Sequence, residues 1–227
     1  MFKKFKELFS SESLLDAAYN TTLKMLDFDH KMFLASRETL RQKDTAELPF
    51  DIHQTDRKIN RFERQVRRDV LTHLTVAGIQ NLVPGLILVS IVIDVERIGD
   101  YTKNIADLAS KHPARLKGGP YEELLHRIEA VLEDQFPKVI QVLSKQDKAL
   151  GRGIMQAENI VGKASEKIVS DILVGAKKNR SLSTSDCVAL ALYARYLKRI
   201  NAHLTNVASA IVNPFPRISF REKKKRS

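Results

Sequence analysis

The chain of 227 residues holds one cysteine, no tryptophan, 9 glycines and 7 prolines. A single Cys187 excludes an intramolecular disulfide framework. Few glycines and prolines argue against the many punctuated strands of a sandwich or barrel and favour long helices. No uninterrupted apolar stretch reaches the ~18 residues that a membrane span requires. The most apolar run, GLILVSIVIDV, is bounded by Pro84 and broken by Asp94, and it reads as a buried helix. No charged start leading into an apolar core of signal-peptide length is visible, so a reducing cytoplasm is the expected compartment. A Gly-rich phosphate loop, a nucleophile elbow and a cysteine metal knuckle are also missing.

What is present is charge and helical periodicity. There are 38 Lys plus Arg against 27 Asp plus Glu, a net charge of +11, with 43% hydrophobic residues. The opening MFKKFKELF sets Phe2, Phe5 and Phe9 at helical spacing against Lys3, Lys4 and Lys6, a short basic amphipathic segment expected to dock on its own bundle. The prolines of NPFP should end the last helix, leaving 214–227 as a basic tail. A basic balance alone supports nonspecific nucleic-acid binding, but no recognition helix or RNA-binding aromatic motif accompanies it. No specific nucleic acid is expected; the charge also suits work beside an anionic membrane surface.

Six helices are expected: Ser13 to Gln42, Pro49 to Leu74, Pro84 to Lys111, a fourth interrupted or kinked at Pro137, Gly153 to Lys177, and Thr184 to Val212. The halves superpose without a gap at an offset of 102 residues. Asp56 then falls on Glu158, Asp69 on Asp171, Leu71 on Leu173, Arg97 on Arg199, Ile98 on Ile200 and Asn104 on Asn206. KGGP, residues 117–120, is the best linker in the chain. The expected fold is all-α, two tandem three-helix bundles over 1–116 and 117–213, followed by the tail 214–227.

The segment DVERIGDYTKNIADLA, residues 94–109, gathers Asp94, Glu96, Asp100 and Asp107 in this basic chain. At about 100° per residue, Glu96, Asp100 and Asp107 fall within roughly 40° with Asn104 beside them. Val95, Ile98, Thr102, Ile105 and Ala109 occupy the opposite side and should meet the core, leaving the acids outward. Asp56, Asn60 and Glu63 form a second oxygen-bearing strip on the preceding helix, which antiparallel packing would bring alongside. The plain interpretation is a solvated face, with Lys103 pairing with Asp100 and Asp107, and Arg57, Arg64 and Arg97 doing likewise. Against it, like charges at Glu96 and Asp100 destabilise a helix unless something compensates, and hard carboxylate and amide oxygens suit a multivalent cation.

DVERIGDYTKNIADLA, the acidic helix TDRKINRFERQV before it and the second copy 102 residues on resemble the PhoU family of bacterial phosphate-uptake regulators. That resemblance covers most of the chain and implies two related three-helix bundles. The family motif, Glu or Asp followed four residues later by Asp, appears as Glu96 and Asp100. It implies metal binding at Glu96, Asp100 and Asn104, with Asp56, Asn60 and Glu63 on the adjoining helix. The ion would be divalent or trivalent: iron, zinc, magnesium, manganese or calcium. The second copy departs from the motif, with Lys198 and Ala202 in place of the acids, so a second metal near His203, Asn206 and Glu158 is not expected. The resemblance also implies a regulator without enzymatic activity. It would restrain a phosphate ABC transporter through the ATPase subunit and communicate with a phosphate-sensing histidine kinase, close to the inner membrane and as a homodimer. The rival class is a carboxylate-bridged di-iron oxidase, for which EELLH supplies one Glu-x-x-His at Glu123 and His126.

Overall fold

The computed structural model of the chain describes residues 11–112 and 114–222. Six α-helices form among them: α1 (Ser11–Gln42), α2 (Ile52–Ala77), α3 (Leu82–Lys111), α4 (Glu122–Lys145), α5 (Lys148–Leu173) and α6 (Thr184–Val212), and no strand is formed among these residues. The amphipathic opening segment 1–9 and the final tail residues 223–227 lie outside the described part.

Helix ends follow local capping chemistry. The side chain of Asp51 accepts from the Gln54 amide, so α2 starts at Ile52 and not at Pro49. Asp147 accepts from the Leu150 amide and starts α5 at Lys148, five residues before the expected Gly153. That helix stops at Leu173, short of Lys177, because Gly175 takes a left-handed φ of 64° and its amide, with that of Ala176, returns to the carbonyls of Ile172 and Asp171. Ser183 and Asp186 form a reciprocal capping box at the start of α6. Pro137 lies inside α4, which runs on through it to Lys145. Pro84 falls in the first turn of α3, where its missing N–H removes no helical bond.

Helices α1, α2 and α3 pack on one another, as do α4, α5 and α6, and the bundles join through α3 against α6 and α1 against α4. Both halves contribute to one apolar core, from Met25, Phe33, Ile59, Val66, Val92 and Ile98 in the first to Phe136, Val139, Val161, Leu197 and Leu204 in the second. The 102-residue offset survives in three dimensions: Ile98 and its counterpart Ile200 are both fully buried.

The α3–α6 seam is antiparallel. Asp94 meets His203 and Asn206, Tyr101 meets Arg199 and Tyr196, and His112 meets Asp186. The α1–α4 seam turns on Arg41, whose guanidinium reaches Glu129 at 2.9 Å, Glu122 and the Leu116 carbonyl. Glu129 also accepts from the Tyr193 hydroxyl at 2.7 Å, so the buried carboxylate has donors from two helices. The Leu116 amide donates to the Leu40 carbonyl, which holds the chain entering the glycine linker against α1. Residues 214–222 turn back on the second bundle: Asn213 donates to the carbonyls of Arg217 and Phe220, and Ser219 donates to the Ser209 hydroxyl.

Candidate functional site: an acidic cluster between α2 and α3

The core-facing set of α3 is as its periodicity requires, with Val95, Ile98, Thr102, Ile105 and Ala109 all buried. The acidic strip, however, does not face open solvent. Asp56 is 7% exposed, and Glu96, Asp100, Asn104 and Glu63 are half-buried. Antiparallel packing of α2 on α3 lays the two strips together, and each shields part of the other.

Lys103 bridges them. Its Nζ donates to Asp56 Oδ2 at 3.0 Å and to Asp100 Oδ1 at 2.9 Å. Burial works against its charge, but the hydrogen bonds to Asp100 and Asp56 outweigh it and hold the Lys103 pKa above the usual lysine value. Asn60 leans on Asp56 with an Nδ2–Oδ2 distance of 3.4 Å. Arg97 reaches Asp100 at 3.1 Å and Glu96 at 3.7 Å, while Arg67 takes Glu63 at 2.6 Å. Asn104 makes no hydrogen bond to any described residue. Asp107 lies further along, pairing with His53 at 3.0 Å and not with Lys103.

A carboxylate not singled out from the sequence completes the cluster. Asp29 of α1 is fully buried and neither of its oxygens has a hydrogen-bond partner. Burial pushes its pKa well above the carboxylate range, and Glu96, Asp56 and Asp100 push in the same direction. Gly99 explains how α3 comes so close, since a Cβ at this position would lie 2.8 Å from Asp29 Oδ1. Glu96 is raised as well, by burial first and then by Asp100, with Arg97 opposing. The periodicity of α1 carries the signal for Asp29: it falls on the buried stripe of Thr22, Met25, Leu26, Met32 and Phe33, a charged residue among core positions.

The cluster is therefore a set of hard oxygens in which a lysine and two arginines supply the nearby positive charge. Among the described residues no three His, Cys, Asp or Glu side chains stand arranged around one point to hold a metal ion. Lys103 stands between Asp56 and Asp100 and pairs with both. Burial first, and the neighbouring carboxylates after it, favour the protonated forms of the unpartnered Asp29 and of Glu96, while the carboxylate and amide oxygens of the cluster are donors of the kind that suits a hard cation.

The second repeat is built differently. Lys198, in the position of Glu96, turns away to Glu166 at 2.5 Å. His203 Nδ1 lies 2.7 Å from Asp94 Oδ1, to which Asn206 also donates at 2.9 Å. Arg199 donates to His203 Nε2 at 3.3 Å, which makes Nδ1 the protonated nitrogen and the donor to Asp94. Through Asp94, His203 and Asn206 fasten the two bundles together. Over α5 and α6 a cavity of about 620 Å³ is lined by Glu158, Thr205, Asn206, Phe220 and Arg221.

The di-iron alternative fails on position. Glu123 and His126 are both exposed on the first turns of α4, and His126 pairs with Glu122 at 2.8 Å instead of facing the core.

Fold and cluster together define a duplicated helical-bundle protein that, among the described residues, carries a carboxylate-rich interhelical cluster in its first repeat. The family model described as the PhoU domain matches residues 22–109 and 125–211, one match in each bundle. The chain belongs to the PhoU family, whose members are regulators of phosphate transport. A relative from Synechocystis sp., described as a phosphate-specific transport system accessory protein PhoU homolog, is 22% identical over 205 residues covering 88% of each chain. The fold is similar to that of PhoU from Pseudomonas aeruginosa, with TM-score 0.70, 18% identity, and 93% of this chain and 97% of that one covered. It is likewise similar to the phosphate transport system regulatory protein PhoU from Streptococcus pneumoniae, with TM-score 0.69, 17% identity, and 89% and 93% covered.

Proposed function

We propose that this chain is a cytoplasmic, non-enzymatic regulator that restrains phosphate uptake by contact. Its partners on this reading are the ATPase subunit of a phosphate ABC transporter and a phosphate-sensing histidine kinase, engaged at the inner face of the membrane by a homodimer. The observation that carries the reading is family membership in both repeats, joined to a relative described as a transport-system accessory protein. No helix among the described residues is long and apolar enough to cross a membrane. Co-purification with the transporter ATPase or the kinase from cells grown at high phosphate tests it. Recovery of neither, from a strain that expresses all three, contradicts it.

The acidic cluster on this reading takes a multivalent cation. Asp56, Glu96 and Asp100 would hold it, with Asn60, Glu63 and Asn104 at the margin, and the ion would supply charge neutralisation that Lys103 supplies in its place. The support is the orphaned Asp29 beneath, the raised Glu96 and the hard-oxygen donor set. Elemental analysis of the purified chain against Glu96→Ala with Asp100→Ala tests this assignment, and unchanged metal content in the double variant contradicts it. The tandem division into 1–116, 117–213 and the basic tail 214–227 belongs to the same proposal.

A further inference from the structure

Helix α2 carries an outward face that the acidic cluster does not use. Arg57, Arg61, Arg64 and Arg68 are all exposed, and at about 100° per residue they fall within roughly 60° of one another. Their axial span is about 16 Å at 1.5 Å per residue. None of the four makes an ion pair or hydrogen bond with a described residue. The acids of α2 are committed elsewhere: Asp56 to Lys103, Glu63 to Arg67 and Asp69 to Gln65. Three successive like-charge neighbours at i, i+3 or i, i+4 thus stand uncompensated, an arrangement that opposes helix formation.

One turn beyond Arg68, in the same sector, Leu71 is 68% exposed. The stripe therefore reads Arg, Arg, Arg, Arg, Leu at alternating steps of four and three, one residue wide and several turns long. At the 102-residue offset the counterparts are Asn159, Lys163, Glu166, Ser170 and Leu173. The apolar end is kept there, with Leu173 79% exposed, while the arginines are replaced and Glu166 is neutralised by Lys198. The cationic stripe is a property of the first bundle alone.

We infer that this face of α2 is a docking surface for an acidic helical segment of another protein, carrying Asp or Glu at matching four-and-three spacing with an apolar residue opposite Leu71. Guanidinium forks bind carboxylates in bidentate fashion, which favours arginine over lysine for such pairing. A helix laid alongside α2 meets every member of the stripe, as facing helices do in a coiled coil. A phosphate backbone would satisfy the arginines but leaves Leu71 without an apolar counterpart, and a flat lipid surface has no need of one-residue-wide alignment. The inference rests on the reading of the chain as a regulator that works by contact.

The test is fluorescence anisotropy on the full chain with a synthetic helix-forming peptide bearing four Glu and a Leu in that spacing. A second peptide of the same composition distributes the Glu around the helix, and mixed-sequence duplex DNA and phosphatidylglycerol vesicles are the other probes. The patterned peptide is expected to bind best, more weakly as salt rises, and Arg61→Glu with Arg64→Glu should weaken it by about tenfold or more. Lys163→Glu on α5 should leave it unchanged, and circular dichroism checks that both variants remain helical. Failure of the patterned peptide to bind, equal binding of the two peptides, insensitivity to the arginine changes, or tighter arginine-dependent binding of DNA or vesicles overturns the inference. Peptide binding with these features in a chain that fails to restrain phosphate uptake would retain the surface and remove the regulatory reading.

Discussion

Lys103 on α3 reaches Asp56 on α2 with Nζ 3.0 Å from Oδ2, and this single contact closes the acidic cluster across two helices. A cation binding between Asp56 and Asp100, as proposed, would compete with the lysine, so removal of Lys103 and metal addition would be thermodynamically linked. Lys103→Gln is expected to lose about 1.5–3 kcal/mol in chelator, the range for hydrogen bonds to charged groups. Added manganese or calcium should restore the loss, with a larger rise in Tm than in the parent chain. Thermal melts with and without the ion measure both, and identical metal responses in parent and variant would count against competition.

The proposed metal site and the seam between bundles should respond to different substitutions. Glu96→Ala with Asp100→Ala removes two anionic ligands and should abolish bound metal while the chain stays helical. His203→Ala with Asn206→Ala should leave metal stoichiometry intact. It strips the half-buried Asp94 of two hydrogen-bond donors, however, and about 1–3 kcal/mol of stability should go with them. Elemental analysis and denaturant unfolding, run on both variants, separate the two roles.

Asp29 gives the cluster a pH dependence of definite sign. Its native pKa lies well above the unfolded value, so the native state holds the proton more tightly and stability falls as pH rises between the two. Glu96 acts in the same sense. Asp29→Asn removes the titrating group with little change in shape. The variant should be at least as stable as the parent at neutral pH, with a flatter profile above the ordinary carboxylate range. Urea unfolding at a series of pH values reads the slope directly, and a variant clearly less stable than the parent at neutral pH contradicts this account.

Arg41 is 5% exposed in its side chain, and its partner Glu129 is 6% exposed. Arg41→Met leaves that buried carboxylate with the Tyr193 hydroxyl alone, and breaking a buried pair costs about 3–5 kcal/mol. Loss of stability under 1 kcal/mol would show that the α1–α4 seam does not depend on this pair.

Much of the architecture was legible because apolar periodicity and an internal repeat are local signals. The buried face of α3 and the pairing of Lys103 with Asp100 follow from spacing on a single helix. Register between helices does not: spacing alone pairs Lys103 with Asp107 where the fold supplies Asp56. The expectation of an outward acidic strip failed for the same reason: α2 covers it, and Gly99 lets Asp29 in from α1. Helix starts at Ile52 and Lys148 differ from those that proline and glycine suggest, because the capping side chains of Asp51 and Asp147 set the ends. Arg57 and Arg64, expected to neutralise the acidic strips, are exposed and pair with neither.

The regulatory reading is tested most directly by phosphate uptake in a strain lacking this chain, grown at high phosphate and complemented with the intact protein. The account predicts unrestrained uptake and a derepressed phosphate-starvation reporter in the deletion strain, both reversed by complementation. Uptake and reporter activity unchanged by the deletion would contradict it, whatever the metal content of the acidic cluster.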